Sequence, residues 1–206
     1  MRSAIKEILE TILLTLLIFL AVRMVVQNFR VEGSSMEPSL HSGQYLLVNK
    51  AVYFNVETDE VNRLLPFLKL PSGEAVFPLG SPQRGDVVVF RFPENPSRDF
   101  IKRIIAVPGD AVEVRGGNVY VNGSRLDEPY IYERPNYPVP PTKVPPESFW
   151  VLGDNRNNSH DSHVWGMVPR EYLIGKAWVV YWPMNNWGLA PNYSTNSANA
   201  QQPAGR

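Results

Sequence analysis

The chain has 206 residues, with 20 Lys plus Arg against 20 Asp plus Glu, 19 prolines and no cysteine. Zero net charge gives no footprint for nucleic acid, and the missing cysteine excludes disulfide scaffolds, thiol catalysis and thiolate-bound zinc. Three histidines (His41, His160, His163) leave little for a metal site, so neither a metal nor a cofactor is expected. The chain is also 44% hydrophobic but only 19% charged, and the excess is unevenly placed.

It begins at the N-terminus. Thr11–Val22 reads TILLTLLIFLAV, without a charge, and covers ~18 Å as a helix. Extension to Ile8–Val26 gives ~28 Å, close to a ~30 Å hydrocarbon core. Glu10 and Arg23 then lie near its two ends, and Arg23 can snorkel. The following residues, Arg23–Phe29, hold no small-x-small cleavage signal. This favours an uncleaved single-pass anchor over a signal peptide; a buried core helix is a further alternative. Lys and Arg flank both ends, so the positive-inside rule is nearly silent. Early insertion of an N-terminal segment, with a long domain behind it, gives N-inside and C-outside.

Beyond Phe29 the pattern changes to short apolar runs between turn residues. Tyr45–Val48, Val87–Phe92, Phe100–Val107, Ala111–Val114, Val119–Val121, Ser148–Leu152 and Ile174–Trp182 read as strands. Ser42-Gly43, Arg84-Gly85-Asp86, Pro108-Gly109-Asp110, Gly116-Gly117-Asn118 and Asn122-Gly123 read as turns. The spacing predicts a mainly β, antiparallel domain over residues 29–190, after an anchor over 1–28. Residues 54–83 read as an insertion. Pro129–Pro146 reads as an extended surface connection, and residues 191–206 as a disordered tail. Trp178, Trp182 and Trp187 suit either a membrane-facing patch or ordinary core packing.

Three segments carry chemistry. In Gly33-Ser34-Ser35-Met36-Glu37-Pro38 a turn presents hydroxyls beside backbone N–H groups that could hold an oxyanion. In Phe100–Asp110, strand alternation puts Lys102 on the face of Phe100 and Ile104. A lysine desolvated in that way loses its proton more readily and can serve as a general base; an edge lysine that snorkels outward is the bland alternative. In Gly153–Gly166, Asp154, Asn155, Asn158, Ser159, His160, Asp161 and His163 form a dense polar run bounded by Trp150 and Trp165. Such a run is either a solvated loop or a buried site.

Taken in order, Gly-Ser-Ser-Met-Glu-Pro-Ser-Leu, Ile-Lys-Arg-Ile-Ile-Ala-Val-Pro-Gly-Asp and Gly-Asp-Asn-Arg-Asn-Asn-Ser-His-Asp-Ser resemble type I signal peptidase, the bacterial leader peptidase family of serine proteases. The wording is closest to cyanobacterial and plastid members. The resemblance implies a membrane-bound endopeptidase that removes N-terminal signal peptides from exported preproteins. Its catalytic domain would lie on the extracytoplasmic side, periplasmic or thylakoid-lumenal, and its partners would be preprotein signal peptides and the lipid bilayer. Ser35 is then the nucleophile and Lys102 the general base, a Ser–Lys variant of triad logic. Ser159 would orient the lysine, with Asp161 as a supporting carboxylate and Asp154 near it. The Ser35 N–H would help bind the oxyanion. Val31, Met36 and Ile101 match positions around shallow substrate pockets, and Asp99 a residue beside the bound peptide.

Two positions depart from the family pattern. Gly33 stands where Escherichia-type members carry a serine that donates to the oxyanion hole. His163 stands where an arginine often pairs with the site aspartate, and it is expected to replace that pairing only when protonated. Two other readings of the residues remain. One is a Ser-His-Asp hydrolase using Ser35 with His160 or His163 and Asp154 or Asp161. The other is a non-enzymatic, membrane-anchored peptide-binding β adaptor.

Overall fold

The computed structural model describes residues 2–53, 62, 63, 67, 71 and 80–193. Most of the expected insertion, 54–83, and the tail from residue 194 lie outside the described residues.

Helix α1 spans Arg2–Val25. Its segment Ile5–Val25 is 21 residues long, apolar enough to cross a membrane, and buried nowhere in the protein. At ~1.5 Å per residue it measures ~31 Å. Core burial of this helix is therefore ruled out. Within it, the Thr11 and Thr15 hydroxyls each donate to the carbonyl four residues earlier, at 2.8 Å. That leaves these two polar side chains satisfied inside the apolar run.

The helix stops because Val26 enters strand β1 (Val26–Arg30), where it pairs with Asn49 of β2 (Tyr45–Asn49). The helix thus ends at Val25 and the strand begins at Val26, with no residue between them. The strands that follow are β3 (Val87–Phe92), β4 (Asn95–Ala106), β5 (Ala111–Arg115), β6 (Asn118–Val121) and β7 (Ser124–Arg125). After them come β8 (Val139–Lys143), β9 (Ser148–Leu152), the short helix α2 (Ser162–Trp165), β10 (Val168–Pro169), β11 (Leu173–Trp182) and β12 (Gly188–Leu189).

They form two antiparallel sheets. The larger runs β1-β2-β11-β3-β4-β9-β10, with β12 beside β11; the smaller runs β7-β6-β5-β8. Ile105 and Ala106 of β4, with Trp150 and Leu152 of β9, share one apolar cluster with Val112, Val114, Val119 and Val121. The small sheet therefore packs on the β4–β9 part of the large one. A second cluster gathers Val31, Met36, Leu40, Leu46, Val48, Val87 and Val89, and it seats the Ser34–Ser35 turn against the sheet.

The mainly β, antiparallel class and the seven expected strands are borne out, and β4 is longer than expected. The proline-rich connection differs: its Val139–Lys143 segment pairs with β5 as an edge strand. Pro140 and Pro141 are tolerated there because they fall at the register shift between Thr142 and Val139, on an edge strand. The start of the tail also differs. Asn192 accepts from the Val87 N–H (2.8 Å) and donates to the Ala177 carbonyl (2.8 Å), while the Tyr193 N–H donates to the Gly85 carbonyl (3.1 Å). Pro191–Tyr193 is thus stitched to β3 and β11. Trp178, Trp182 and Trp187 are exposed, as are Met184 and Leu189, so core packing does not account for them.

The most buried ion pair joins Arg103 of β4 to Asp154. Nε and Nη2 donate to the two carboxylate oxygens at 2.8 and 2.6 Å, and Nη1 donates to the carbonyls of Gly85 and Pro191. The guanidinium also lies over the Tyr130 ring, 4.0 Å from its centroid. Asp154, expected near Asp161, is bonded to Arg103 and is the counter-ion of this strand.

Asn192→Ala should lower stability by about 2 kcal/mol, because it strands a buried donor of β3 and an acceptor of β11. The denaturant midpoint of the full chain in detergent measures this.

Candidate active site

The central observation is a pair. Lys102 Nζ lies 2.6 Å from Ser35 Oγ. The two residues are far apart in sequence, and the large sheet brings them together. Lys102 sits on β4 opposite Val88 of β3, while Ser35 lies on the turn held by Val31, Met36 and Leu40.

Lys102 is only 4% exposed. Burial pushes its pKa down to about 8, and the charges of Asp161 and then Asp154 act against that fall. Its ammonium also lies 5.6 Å from the Phe100 ring centroid, on the face that alternation assigned to it. The snorkelling alternative is thereby excluded. Near neutral pH a useful fraction of the amine is unprotonated and can accept the Ser35 proton.

The Ser34–Ser35 turn is clamped from the 153–161 loop. The Asn155 N–H donates to the Ser35 carbonyl at 3.0 Å, and its side-chain amide donates to the Ser34 carbonyl at 3.1 Å. Asn158 Nδ2 donates to Ser34 Oγ at 2.8 Å. The polar run is therefore a built site and not a solvated loop. Gly33 has φ of +82°, which turns the chain into this loop in a region that side chains rarely adopt. A serine at position 33 would be strained on this backbone. Among the described residues the Ser35 N–H has no hydrogen-bond partner and remains open to a ligand.

Asp161 is fully buried behind the pair. Its Oδ2 accepts from the Gly153 N–H at 2.9 Å, and its Oδ1 lies 2.7 Å from His163 Nδ1. An Nδ1–H donates at this distance whether the imidazole is neutral or charged. The ring is also stacked on Tyr137, with 3.8 Å between centroids.

Ser159 lies beside Gly153, as expected for a site residue. Its Oγ, however, is buried without a hydrogen-bond partner, so the expected bond to Lys102 is not made in this structure. The lysine's amine is bonded to Ser35 instead.

A groove of about 560 Å³ opens onto the pair. Phe29–Ser35 and Arg98–Lys102 form its walls, with Asn158 and His160 also lining it. Val31, Gly33, Asp99 and Ile101 therefore line the groove as expected. Met36 does not: it is 1% exposed and packs in the core beneath the turn. Among the described residues no histidine hydrogen-bonds Ser35, and His163 is committed to Asp161, so the Ser-His-Asp arrangement is not formed.

The sequence placed Gly153, Asn155 and Asn158 in the polar run but gave none of them a role of its own. The density of amides after Gly153 was the available signal. Gly153 is a contact position: a Cβ there would stand 2.2 Å from Ser159 Oγ and 2.4 Å from the Ser35 carbonyl oxygen. Gly153→Ala should therefore displace Ser35 and slow its labelling by an acylating probe about 10²-fold. Mass spectrometry of the labelled chain measures the rate, and circular dichroism checks the fold.

A family model described as "Signal peptidase, peptidase S26" matches residues 5–182. A signal peptidase I of Leptolyngbya laminosa is 41% identical over 195 residues, covering 90% of this chain and 84% of that protein. A probable signal peptidase I-2 of Synechocystis sp. is also 41% identical, over 189 residues, covering 89% of this chain and 76% of that protein. A signal peptidase I of Pseudomonas aeruginosa is 33% identical over 211 residues, covering 82% and 70%. The expected closeness to cyanobacterial sequences is borne out, and a non-enzymatic adaptor gives way to a hydrolase. With a model match across most of its length and relatives of this identity and coverage, the chain belongs to the signal peptidase family, peptidase S26, and is a serine peptidase.

Proposed function

We propose that the chain is a membrane-anchored endopeptidase that cleaves signal peptides from exported preproteins with a Ser35–Lys102 dyad. The observation that carries this reading is the 2.6 Å contact between Ser35 Oγ and a lysine kept out of water. Serine is a weak nucleophile until a nearby base takes its proton. Neutral Lys102 accepts the Oγ proton as Oγ attacks the scissile carbonyl. The tetrahedral oxyanion forms beside the open Ser35 N–H. Collapse expels the amine of the mature chain, which takes the proton from the Lys102 ammonium and leaves an acyl-enzyme. Lys102 then deprotonates a water that attacks the ester, and the proton returns to Ser35.

The groove walls suit an extended peptide. Substrate selection follows from Val31 and Ile101, which leave shallow apolar room near Ser35 for small side chains. Asp161 acts from behind by holding Gly153 and by its charge on Lys102. Ser159 stands next to the pair, and a rotation of its hydroxyl toward the amine during turnover would orient the base.

Anchoring rests on α1, and the extracytoplasmic placement of the β domain rests on N-inside insertion. Val26–Arg30 leads straight from the helix to the groove over ~17 Å of strand. The site thus lies close to the lipid surface, where a substrate's own apolar segment would be held. The exposed Trp178, Trp182 and Trp187 suit contact with headgroups.

Ser35→Ala and Lys102→Met should each lower the cleavage rate of a model preprotein by at least about 10³-fold. Retention of wild-type rates by either variant overturns the dyad. Lys102→Met should also be more stable than wild type at pH 7, on the order of 2 kcal/mol. Below pH about 8 the folded wild type must hold a buried ammonium; that cost fades as pH rises toward the usual lysine range, so the gap should close there. For the wild type, kcat/KM should rise with pH and level off above about 8, as Lys102 loses its proton.

A further inference from the structure

The two serines of the turn are held in different ways. Ser35 Oγ is bonded to the Lys102 amine at 2.6 Å. Ser34 Oγ instead accepts from the side-chain amide of Asn158, Nδ2, at 2.8 Å. A hydroxyl that accepts in this way keeps its own proton to donate. Among the described residues no group takes that proton. Ser34 and Asn158 both line the groove that opens onto Ser35 and Lys102, so the spare donor is within reach of a bound chain.

We propose that the Ser34 hydroxyl is a second hydrogen-bond donor to the oxyanion formed on Ser35, and that Asn158 is the positioning residue that aims it. The first donor has a fixed direction. The Ser34 carbonyl accepts from the Glu37 N–H and from Asn155 Nδ2, each at 3.1 Å. The Ser34–Ser35 peptide is trans, and a trans peptide sends its C=O and N–H opposite ways. The N–H of that same unit, on Ser35, is thereby turned away from both partners of the carbonyl. Only Cβ, Cα and the carbonyl carbon separate Ser34 Oγ from the Ser35 nitrogen, so covalent geometry keeps the two within about 5 Å. An oxygen about 3 Å from each fits between them.

The chemistry favours two donors. One N–H leaves most of the charge on a tetrahedral oxyanion unmet, and a donor aimed where charge develops lowers the barrier without tightening the bound ground state. No proton moves in this step: Ser34 lends a hydrogen bond and keeps its O–H. A free serine side chain samples several rotamers. Donation from Asn158 selects one before substrate arrives, so little ordering remains to be done during reaction. Asn158 is itself tied to the residue that pins the peptide, since its N–H donates to the Asn155 carbonyl at 3.1 Å. One short turn therefore sets both donors, Asn155 through the backbone and Asn158 through the side chain. A nucleophilic role for Ser34 does not fit, because its oxygen accepts from an amide and the base is bonded to Ser35.

This role rests on the dyad reading, with Ser35 as the nucleophile, and the test separates the two. The full chain in detergent would be assayed for its single-turnover cleavage rate on a model preprotein. The variants are Ser34→Ala, Asn158→Ala, the two combined, and Lys102→Met. Binding of the uncut preprotein would be measured for the Ser34 and Asn158 changes on a Ser35→Ala background. Ser34→Ala should lower the cleavage rate about 10²-fold, with the Kd unchanged within about twofold. Asn158→Ala should lower the rate roughly fivefold when Ser34 is present and have no further effect when it is absent. A wild-type rate in Ser34→Ala overturns the role, as does a loss that appears in Kd, or an Asn158→Ala effect of equal size in both backgrounds. If Ser34→Ala lacks a cooperative unfolding transition, Asn158→Ala decides: a slower rate at unchanged Kd supports the donor, and a wild-type rate overturns it. A Lys102→Met variant that keeps the wild-type rate overturns the dyad itself, whereas an inactive one beside a fully active Ser34→Ala overturns only the role of Ser34.

Discussion

A sheet interior keeps a cation charged only by surrounding it with acceptors, and strand β4 makes opposite choices at two successive residues. Arg103 is given a bidentate carboxylate, two carbonyls and an aromatic face, and it stays an ion. Lys102, its neighbour on the other face of the strand, is given a serine hydroxyl and the edge of an aromatic cluster. Desolvation then outweighs the remote carboxylates, and the amine becomes easy to deprotonate. Much of the surrounding architecture follows from this asymmetry. Asp154 and the Pro191–Tyr193 segment complete Arg103. Asp161 stands behind Lys102, where its charge returns part of the basicity that burial removes without making a salt bridge.

Family membership and physical chemistry reach the same pair by separate routes. The motif order identified Ser35 and Lys102 as partners. Independently, alternation along β4 placed Lys102 among apolar residues, and burial made it a base. The geometry adds the mode of support. Ser35 is not held by its own segment alone, since Asn155 and Asn158 reach across from the β9 side to its turn. Ser35 and the residues behind Lys102 therefore hang from one loop, and a change at Gly153 or Asn155 would be felt by both.

Local patterns made much of the fold legible. Apolar runs between glycine turns located β2, β3, β4, β9 and β11 of the large sheet, because each of these buries at least one face, whereas β1 and β12 bury no residue and left no such run. Val139–Lys143 escaped because its prolines argue against pairing, and only a register shift on an edge strand makes them harmless. Pro191–Tyr193 escaped because its polar composition resembles free chain; its bonds go to partners on β3 and β11 that no local window contains. The same limit applied at the site. Lys102 could be singled out from its neighbours, but its meeting with Ser35 depends on the stacking order of strands. Met36 looked like a pocket residue beside the nucleophile, yet the turn points it into the core.

The junction at Val25–Val26 has a geometric consequence. A helix that passes into a paired strand without a single free residue leaves no leash between its end and the catalytic groove. If α1 lies across a bilayer as proposed, the height of Ser35 above the lipid is set by the rise of β1 and not by the wandering of a tether. The enzyme would then act as a ruler. A bond presented at that height meets the nucleophile; a bond a few residues nearer to or farther from the substrate's own apolar segment does not.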